Sequence, residues 1–194
     1  TEIYTLSLHD ALPIFRAGQI LTQSENEKQS LALDQFEVAF ELDIEYEPIF
    51  SSLENICLRL QDWNRLLEVY RKKMEASKDE EKRVEWLIKS ALVCEKNLDF
   101  PLQAIQFYER AQKIDPRNTS VLKNLASLLE RTEQWNKAIP VWEDTLKMTE
   151  NKEARDYIHF HIGSLWEKTG EKERAVASYR SVQTDAFRHQ AQEA

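Results

Sequence analysis

The chain has 194 residues, of which 42% are hydrophobic and 31% charged, so it can form a folded core with charged exposed faces. Only three glycines and five prolines are present, which argues against a fold built from many β-turns. The formal net charge of −8 argues against nucleic acid or an anionic membrane surface as the main partner.

Residues 1–14 fit no repeat in the chain, and they lack the basic start and small-residue cleavage site of a signal peptide. The string resembles the translation of a sequencing adapter. We therefore expect residues 1–14 to be a non-native or disordered extension outside the fold, with the true N-terminus and any signal peptide lying upstream. A genuine disordered tail is the alternative interpretation.

The rest of the chain predicts consecutive pairs of helices. Residues 15–24 are expected to be the remnant of a first helix, and a second helix is expected from about Ser30 to Leu42. Pro116 ends one later helix, Gly170 closes another, Asn118 caps a third, and Asp99 is expected to cap the helix that begins at Pro101. The first helices of the later pairs are predicted at about 46–60, 81–97, 118–131 and 153–169, and the second helices at about 63–76, 101–115, 135–148 and 172–185.

The second helices share a pattern of a small or aliphatic residue followed four positions later by an aromatic residue. Residues four apart lie on one helix face, so the pattern describes a helix that packs a ring on its neighbour. It recurs every 34–38 residues, a period typical of helical solenoids. The rings of the five pairs are expected to be largely buried between consecutive helices. The pairs are Ala32 and Phe36, Leu66 and Tyr70, Ala104 and Tyr108, Ala138 and Trp142, and Ala175 and Tyr179.

A longer repeat underlies this pattern. Residues 31–78 align without gaps on residues 103–150, an offset of 72 positions, with nine identities that include Trp63-Asn64 on Trp135-Asn136. This alignment indicates that a unit of four helices was duplicated.

These residues resemble the tetratricopeptide repeat family, of the bacterial or metagenomic type. Ala104, Tyr108, Ala111 and Pro116 match the second half of its pattern, whereas Leu66, Lys73, Thr145 and Ile44 depart from it. The resemblance implies an all-α fold, an α-solenoid of antiparallel helix pairs stacked into a right-handed superhelix of about four and a half to five repeats. We expect this repeat domain to span residues 15–186, with residues 187–194 forming the start of a further helix or a truncated tail.

Catalytic and metal-binding patterns are not found in the sequence. Three glycines cannot build a phosphate-binding loop with its flanks. His159 and His161 are two residues apart, so on a helix they point in different directions and make a poor metal pair. Cys57 and Cys94 are too few for a disulfide framework and are expected to be buried thiols. We expect no enzymatic activity, no cofactor and no metal.

A basic residue occurs at the same place near the end of four first helices, and residues four and eight positions earlier share its helix face. In tetratricopeptide repeat proteins the first helices line a concave groove, so the resemblance implies a peptide groove with a basic row. The alternative is that these cations only favour the negative end of the helix dipole, which is worth about 0.3–1 kcal/mol without any partner. The candidate groove residues are Ser51, Asn55, Arg59, Ile88, Leu92, Lys96, Lys123, Ser127, Arg131, Phe160, Ser164 and Lys168.

The resemblance favours a non-enzymatic protein–protein interaction scaffold, cytoplasmic, that binds a partner peptide or helix in this groove. Further repeats of the same chain are another candidate partner, whereas nucleic acid and membrane are not expected. One alternative is an RNA-processing scaffold of the half-a-tetratricopeptide type, which needs a basic convex face that an isoelectric point near 5.2 disfavours. Another is the repeat arm of a larger enzyme whose catalytic domain lies outside this sequence.

Overall fold

The computed structural model describes residues 8–22 and 28–182, and ten α-helices lie within these ranges. This confirms the prediction of an all-α fold. The helices are α1 (Leu8–Thr22), α2 (Gln29–Leu42), α3 (Glu47–Leu60), α4 (Trp63–Ala76), α5 (Glu80–Lys96), α6 (Pro101–Ile114), α7 (Thr119–Arg131), α8 (Trp135–Met148), α9 (Lys152–Lys168) and α10 (Lys172–Arg180).

The chain forms two compact units, residues 1–86 and residues 87–194. In unit 1, α1 packs on α2, α2 on α3, and α3 on α4. In unit 2, α6 packs on α7, α7 on α8, α8 on α9, and α9 on α10. Short turns join α3 to α4, α5 to α6, α7 to α8 and α9 to α10, which makes the two helices of each of these pairs antiparallel. Each unit is therefore built from stacked helix pairs, the arrangement of an α-solenoid.

The aromatic residue of the repeated pattern is the eighth residue of every second helix, in α2, α4, α6, α8 and α10. Four of these rings are buried: Phe36, Tyr70, Tyr108 and Trp142 are each at most 4% exposed. Tyr179 is half-buried, so it is the least buried of the five rings that were predicted to be largely buried. Its helix, α10, packs on α9, and the described residues contain no later helix to cover its other side.

Two glycines let a second helix approach its first helix closely. A Cβ atom on Gly18 would lie 2.6 Å from Cε1 of Phe36, and one on Gly163 would lie 2.5 Å from Cε1 of Tyr179. Both separations are well inside van der Waals contact. The ring therefore occupies the space that any larger residue would need at this crossing.

The departures from the repeat pattern have local partners in the structure. Lys73 places its ammonium 4.8 Å from the centroid of the Phe50 ring and 3.2 Å from Oε2 of Glu47. Thr145 is fully buried, and its hydroxyl donates a hydrogen bond to the carbonyl oxygen of Val141 at 2.8 Å. A larger or polar side chain is thus accommodated without interrupting either helix.

The turn within each of the last four helix pairs contains one residue in the left-handed region. These residues are Gln61, Asp99, Glu133 and Gly170, with φ of 56°, 53°, 58° and 85°. The prediction that Asp99 caps α6 is wrong, because Phe100 occupies the cap position and Asp99 makes the left-handed turn. Asn118 caps α7 as predicted: its Oδ1 accepts a hydrogen bond from the backbone N–H of Val121 at 3.2 Å.

The ends of the repeat array differ from the sequence prediction. Helix α1 begins at Leu8, so residues 8–14 are helical rather than outside the fold, and Ala11 is 2% exposed. Helix α10 ends at Arg180, earlier than the predicted residue 185. Residues 1–7 and 187–194 lie outside the described residues, so the origin assigned to the first stretch stays a prediction.

Candidate peptide-binding surfaces

In unit 1, two of the three predicted groove residues of α3 line one cavity. Asn55 and Arg59 are exposed and border a space of about 510 Å³ beside α1, whereas Ser51 does not line it. The sequence analysis missed the contribution of α1, because residues 15–24 carry no recognisable groove pattern. The complete lining is Gln19, Thr22, Phe36, Ser52, Asn55, Ile56 and Arg59.

The chemistry of this cavity suits an anionic group next to apolar surface. Arg59 forms no ion pair with any described residue, so its guanidinium presents donors that a carboxylate can accept. The amides of Gln19 and Asn55 add neutral donors. Phe36 and Ile56 supply apolar lining.

In unit 2, the predicted groove residues lie on three first helices. On α5, Ile88 is half-buried, whereas Leu92 and Lys96 are exposed. On α7, Lys123, Ser127 and Arg131 are all exposed, and on α9 Phe160 and Ser164 are half-buried beside the exposed Lys168. The spacing therefore predicted three surface stripes, each ending in a basic residue.

The basic residues of α5 and α7 are not free cations. Glu95 accepts a hydrogen bond from Nη1 of Arg131 at 2.6 Å, and its Oε1 lies 3.8 Å from Nζ of Lys96. The Glu95 side chain is only 11% exposed, whereas that of Arg131 is 58% exposed. A glutamate directly precedes the cation in three of the four repeats, at Glu95, Glu130 and Glu167, but this local pattern does not reveal the pairing of Glu95 with Arg131 on another helix.

The other two glutamates bind the aromatic residue of their own second helix. Glu130 accepts a hydrogen bond from the indole N–H of Trp142, and its Oε2 lies 3.2 Å from Nδ1 of His161. The His161 ring stacks on Trp142 with centroids 5.4 Å apart. Glu167 accepts a hydrogen bond from the hydroxyl of Tyr179 at 3.1 Å. These carboxylates anchor the first helix to the second.

The cation of α9 has a different neighbour. Nζ of Lys168 lies 5.9 Å from the centroid of the Trp135 ring, at the outer limit of a cation–π contact. Because the contact is long and the lysine is exposed, this ammonium remains accessible to a ligand.

The remaining reactive side chains are suppressed by burial. Cys57 and Cys94 are fully buried, as predicted, and burial raises the pKa of their thiols to about 12 and about 11. His159 and His161 are both half-buried, and burial lowers the pKa of His159. Within residues 8–22 and 28–182, no three His, Cys, Asp or Glu side chains are grouped to hold a metal ion.

Within residues 8–22 and 28–182, no helix is both long enough and apolar enough to cross a membrane.

Comparisons with known proteins agree on one architecture. YrrB, a TPR protein with an unusual peptide-binding site, is 15% identical and superposes with a TM-score of 0.57 over 95% of this chain and 92% of that chain. MamA AMB-1 is 16% identical, with a TM-score of 0.57 over 89% of this chain and 90% of that chain. The N-terminal domain of stress-induced protein-1 from C. elegans is 14% identical, with a TM-score of 0.52 over 60% of this chain and 98% of that domain.

In sequence, no curated protein matches the chain. A family model described as tetratricopeptide repeat matches residues 49–84, which cover nearly all of α3, all of α4 and the start of α5. The matched segment lies in unit 1, and the helix pairs with their buried rings recur in unit 2. Residues 49–84 therefore match a tetratricopeptide repeat, and the chain shares the fold of tetratricopeptide repeat proteins.

Proposed function

We propose that this chain is a non-enzymatic protein-interaction scaffold, and that it binds an extended or helical segment of a partner protein along its first helices. The observation that carries the proposal is the unit 1 cavity, in which Arg59 has no acidic partner among the described residues and stands beside the amide of Asn55. If Arg59 had a structural role, a salt bridge within the described residues would pair its guanidinium. Because the guanidinium is available to a ligand instead, a role in binding is favoured.

The segment that fits carries acidic side chains or a free C-terminal carboxylate. Each exposed ion pair is worth only about 0.2–1 kcal/mol, so cations alone orient a ligand without holding it. Apolar anchorage comes from Leu92 and Phe160 in unit 2, whereas Phe36 and Ile56 border the unit 1 cavity but are buried. A fully buried apolar side chain of the ligand contributes about 1.5–3 kcal/mol. The proposal therefore expects modest affinity that weakens with salt without vanishing.

Peptide binding has a precedent on this fold. YrrB is described as a TPR protein with an unusual peptide-binding site, and it superposes on almost the whole chain. At 15% identity the likeness concerns the fold, so the proposal depends on the residues of this chain.

The test uses partner segments recovered by affinity capture and then synthesised as peptides. We expect Arg59→Glu to weaken peptide binding about tenfold or more, because it replaces attraction by repulsion at the cavity. The matched control is Lys78→Glu, the same charge change at an exposed position outside the cavity lining. In unit 2 the corresponding variant carries Arg131→Glu and Lys168→Glu. Equal affinities for Arg59→Glu and Lys78→Glu, with helix content unchanged by circular dichroism, would exclude this cavity as the binding site.

A further inference from the structure

Three first helices of unit 2 have a glutamate as their second-to-last residue, and one of these glutamates has a different hydrogen-bond partner from the other two. Glu95, Glu130 and Glu167 each occupy the second-to-last position of their helices, α5, α7 and α9. The aromatic residues they face, Tyr108, Trp142 and Tyr179, each occupy the eighth position of the following helix. The three pairs are therefore equivalent in register, apart from one extra residue in the turn after α5.

Two of these pairs are joined by a hydrogen bond, and the third is not. Trp142 donates to Glu130, and Tyr179 donates to Glu167 at 3.1 Å. The hydroxyl of Tyr108 is buried, the residue being 0% exposed, and it has no hydrogen-bond partner. A buried donor without a partner is costly, because it has lost water and gained nothing in return.

Glu95 instead points its carboxylate at the surface cations. It accepts from Arg131 at 2.6 Å and lies 3.8 Å from the ammonium of Lys96. Its charge also acts on Tyr108: burial raises the pKa of that hydroxyl to about 12, and the charge of Glu95 adds to the increase. Asn124 has a smaller, opposing effect and does not complete a hydrogen bond with the hydroxyl.

We propose that Glu95 is an internal competitor for the ligand of unit 2, with one position on Arg131 and a second position on the hydroxyl of Tyr108. In the free protein its carboxylate occupies the guanidinium that an acidic peptide needs. When the peptide's carboxylate takes Arg131, Glu95 turns inward and accepts the Tyr108 hydroxyl, as Glu130 and Glu167 already do for their rings. The buried hydroxyl thus gains its partner only in the bound state, which offsets part of the cost of displacing Glu95.

This inference rests on the proposed function, because it concerns the cation that the acidic peptide contacts. The inference goes beyond the proposed function because it makes the peptide affinity of unit 2 depend on Glu95 and Tyr108, which the peptide does not touch. Tyr108 is buried beneath the surface, so the ligand does not touch its hydroxyl, and the double variant with Glu95→Gln tests whether its effect passes through Glu95.

The experiment titrates the full chain with a short synthetic peptide of alternating Ala and Glu that has a free C-terminal carboxylate. A peptide with Gln for Glu and an amidated end is the neutral control. Binding is followed by NMR at the side-chain N–H signals of Arg131 and Arg59. Glu95→Gln should raise the affinity at Arg131 by about two- to fivefold, since it removes the carboxylate that occupies the Arg131 guanidinium in the free protein. Glu133→Gln, the same charge change at an exposed turn residue, should leave that affinity unchanged.

The inward position is tested by Tyr108→Phe, which removes only the hydroxyl. In the wild-type background this variant should weaken binding at Arg131 by about tenfold, the value of one hydrogen bond to a charged group. Combined with Glu95→Gln, Tyr108→Phe should have a much smaller effect, because no carboxylate remains to accept the hydroxyl.

Three results would overturn the inference. If Glu95→Gln and Glu133→Gln give the same affinity while the peptide still binds at Arg59, Glu95 is not a competitor and the proposed function stands. If Tyr108→Phe leaves binding at Arg131 unchanged, the inward position does not exist. If no variant responds to the acidic peptide at either arginine, the inference and the proposed function fail together.

Discussion

At the scale of single residues, the polar end of each packed ring distinguishes the repeats from one another. The rings share one helix position, but the tyrosine hydroxyls differ: Tyr70 donates to Glu54 at 2.7 Å, whereas Tyr108 has no partner. Burial is the same in both cases, since the two residues are 4% and 0% exposed. The contribution of each hydroxyl to stability therefore depends on its partner.

We expect Tyr108→Phe to raise the free energy of unfolding by about 1 kcal/mol, because it removes a buried donor that is unpaired. The matched change Tyr70→Phe should lower it by about 1–2 kcal/mol, because it removes the hydrogen bond from the Tyr70 hydroxyl to Glu54. Tyr108→Ala should cost about 3–5 kcal/mol through the cavity it creates. Urea unfolding followed by circular dichroism measures all three. A loss for Tyr108→Phe as large as that for Tyr70→Phe would show that the Tyr108 hydroxyl is paired in solution.

At the scale of helices, the close crossing between first and second helices depends on whether the second-helix ring can move. Gly18 and Gly163 face their rings at nearly the same distance, 2.6 Å and 2.5 Å from a Cβ position. Phe36 is 1% exposed and held on all sides, whereas Tyr179 is half-buried and has room to move.

We expect Gly18→Ala to lower the free energy of unfolding by about 1–2 kcal/mol, as overpacking exceeds the roughly 1 kcal/mol that alanine gains in helix propensity. Gly163→Ala should be close to neutral, because the Tyr179 ring can shift and the propensity gain remains. Thermal unfolding of the two variants compares them directly. Equal losses would mean that Tyr179 is held as firmly as Phe36.

The turns within the helix pairs give a second prediction at this scale. Gln61 and Glu133 adopt φ of 56° and 58°, a conformation that costs a non-glycine residue roughly 1 kcal/mol. We expect Glu133→Gly and Gln61→Gly each to stabilise the chain by about 0.5–1 kcal/mol, reduced by the greater freedom of glycine when unfolded. Gly170→Ala, at φ 85°, should have the opposite sign. A decrease in melting temperature for both glycine variants would contradict the left-handed assignment of these turns.

The helices were predictable from the sequence because their signals are local. Asn118 caps α7 and Pro116 follows the end of α6, so these bounds agree with the structure to within a residue or two. The left-handed turn at Asp99 was missed, because the Phe-Pro that follows it also fits a capped helix start. The pairing of Glu95 with Arg131 was missed because the two residues are 36 positions apart, and their contact depends on how α5 and α7 pack.

At the scale of the whole chain, a net charge of −8 coexists with a cation near the end of each of four first helices. Among the residues that the structure describes, Arg59 has no ion-pair partner, whereas Arg131 is paired with Glu95. Equal spacing in the sequence therefore does not make the cations equivalent as binding groups. The candidate site was predictable as a set of positions, but the availability of each position depends on the side chains around it.

The first residues of the chain provide the last prediction. The sequence favoured an extension with no role in the fold, yet Ala11 is buried at 2% exposure and residues 8–14 form the first half of α1. Helix α1 packs on α2, so deleting residues 1–14 removes buried surface from unit 1. We expect a loss of about 1–2 kcal/mol, which lowers the melting temperature by roughly 2–8 °C. Deleting only residues 1–7 leaves α1 complete, so that variant should lose less. If deleting residues 1–14 leaves the melting temperature unchanged, this half of α1 contributes nothing to stability and the extension is dispensable, as the sequence suggested.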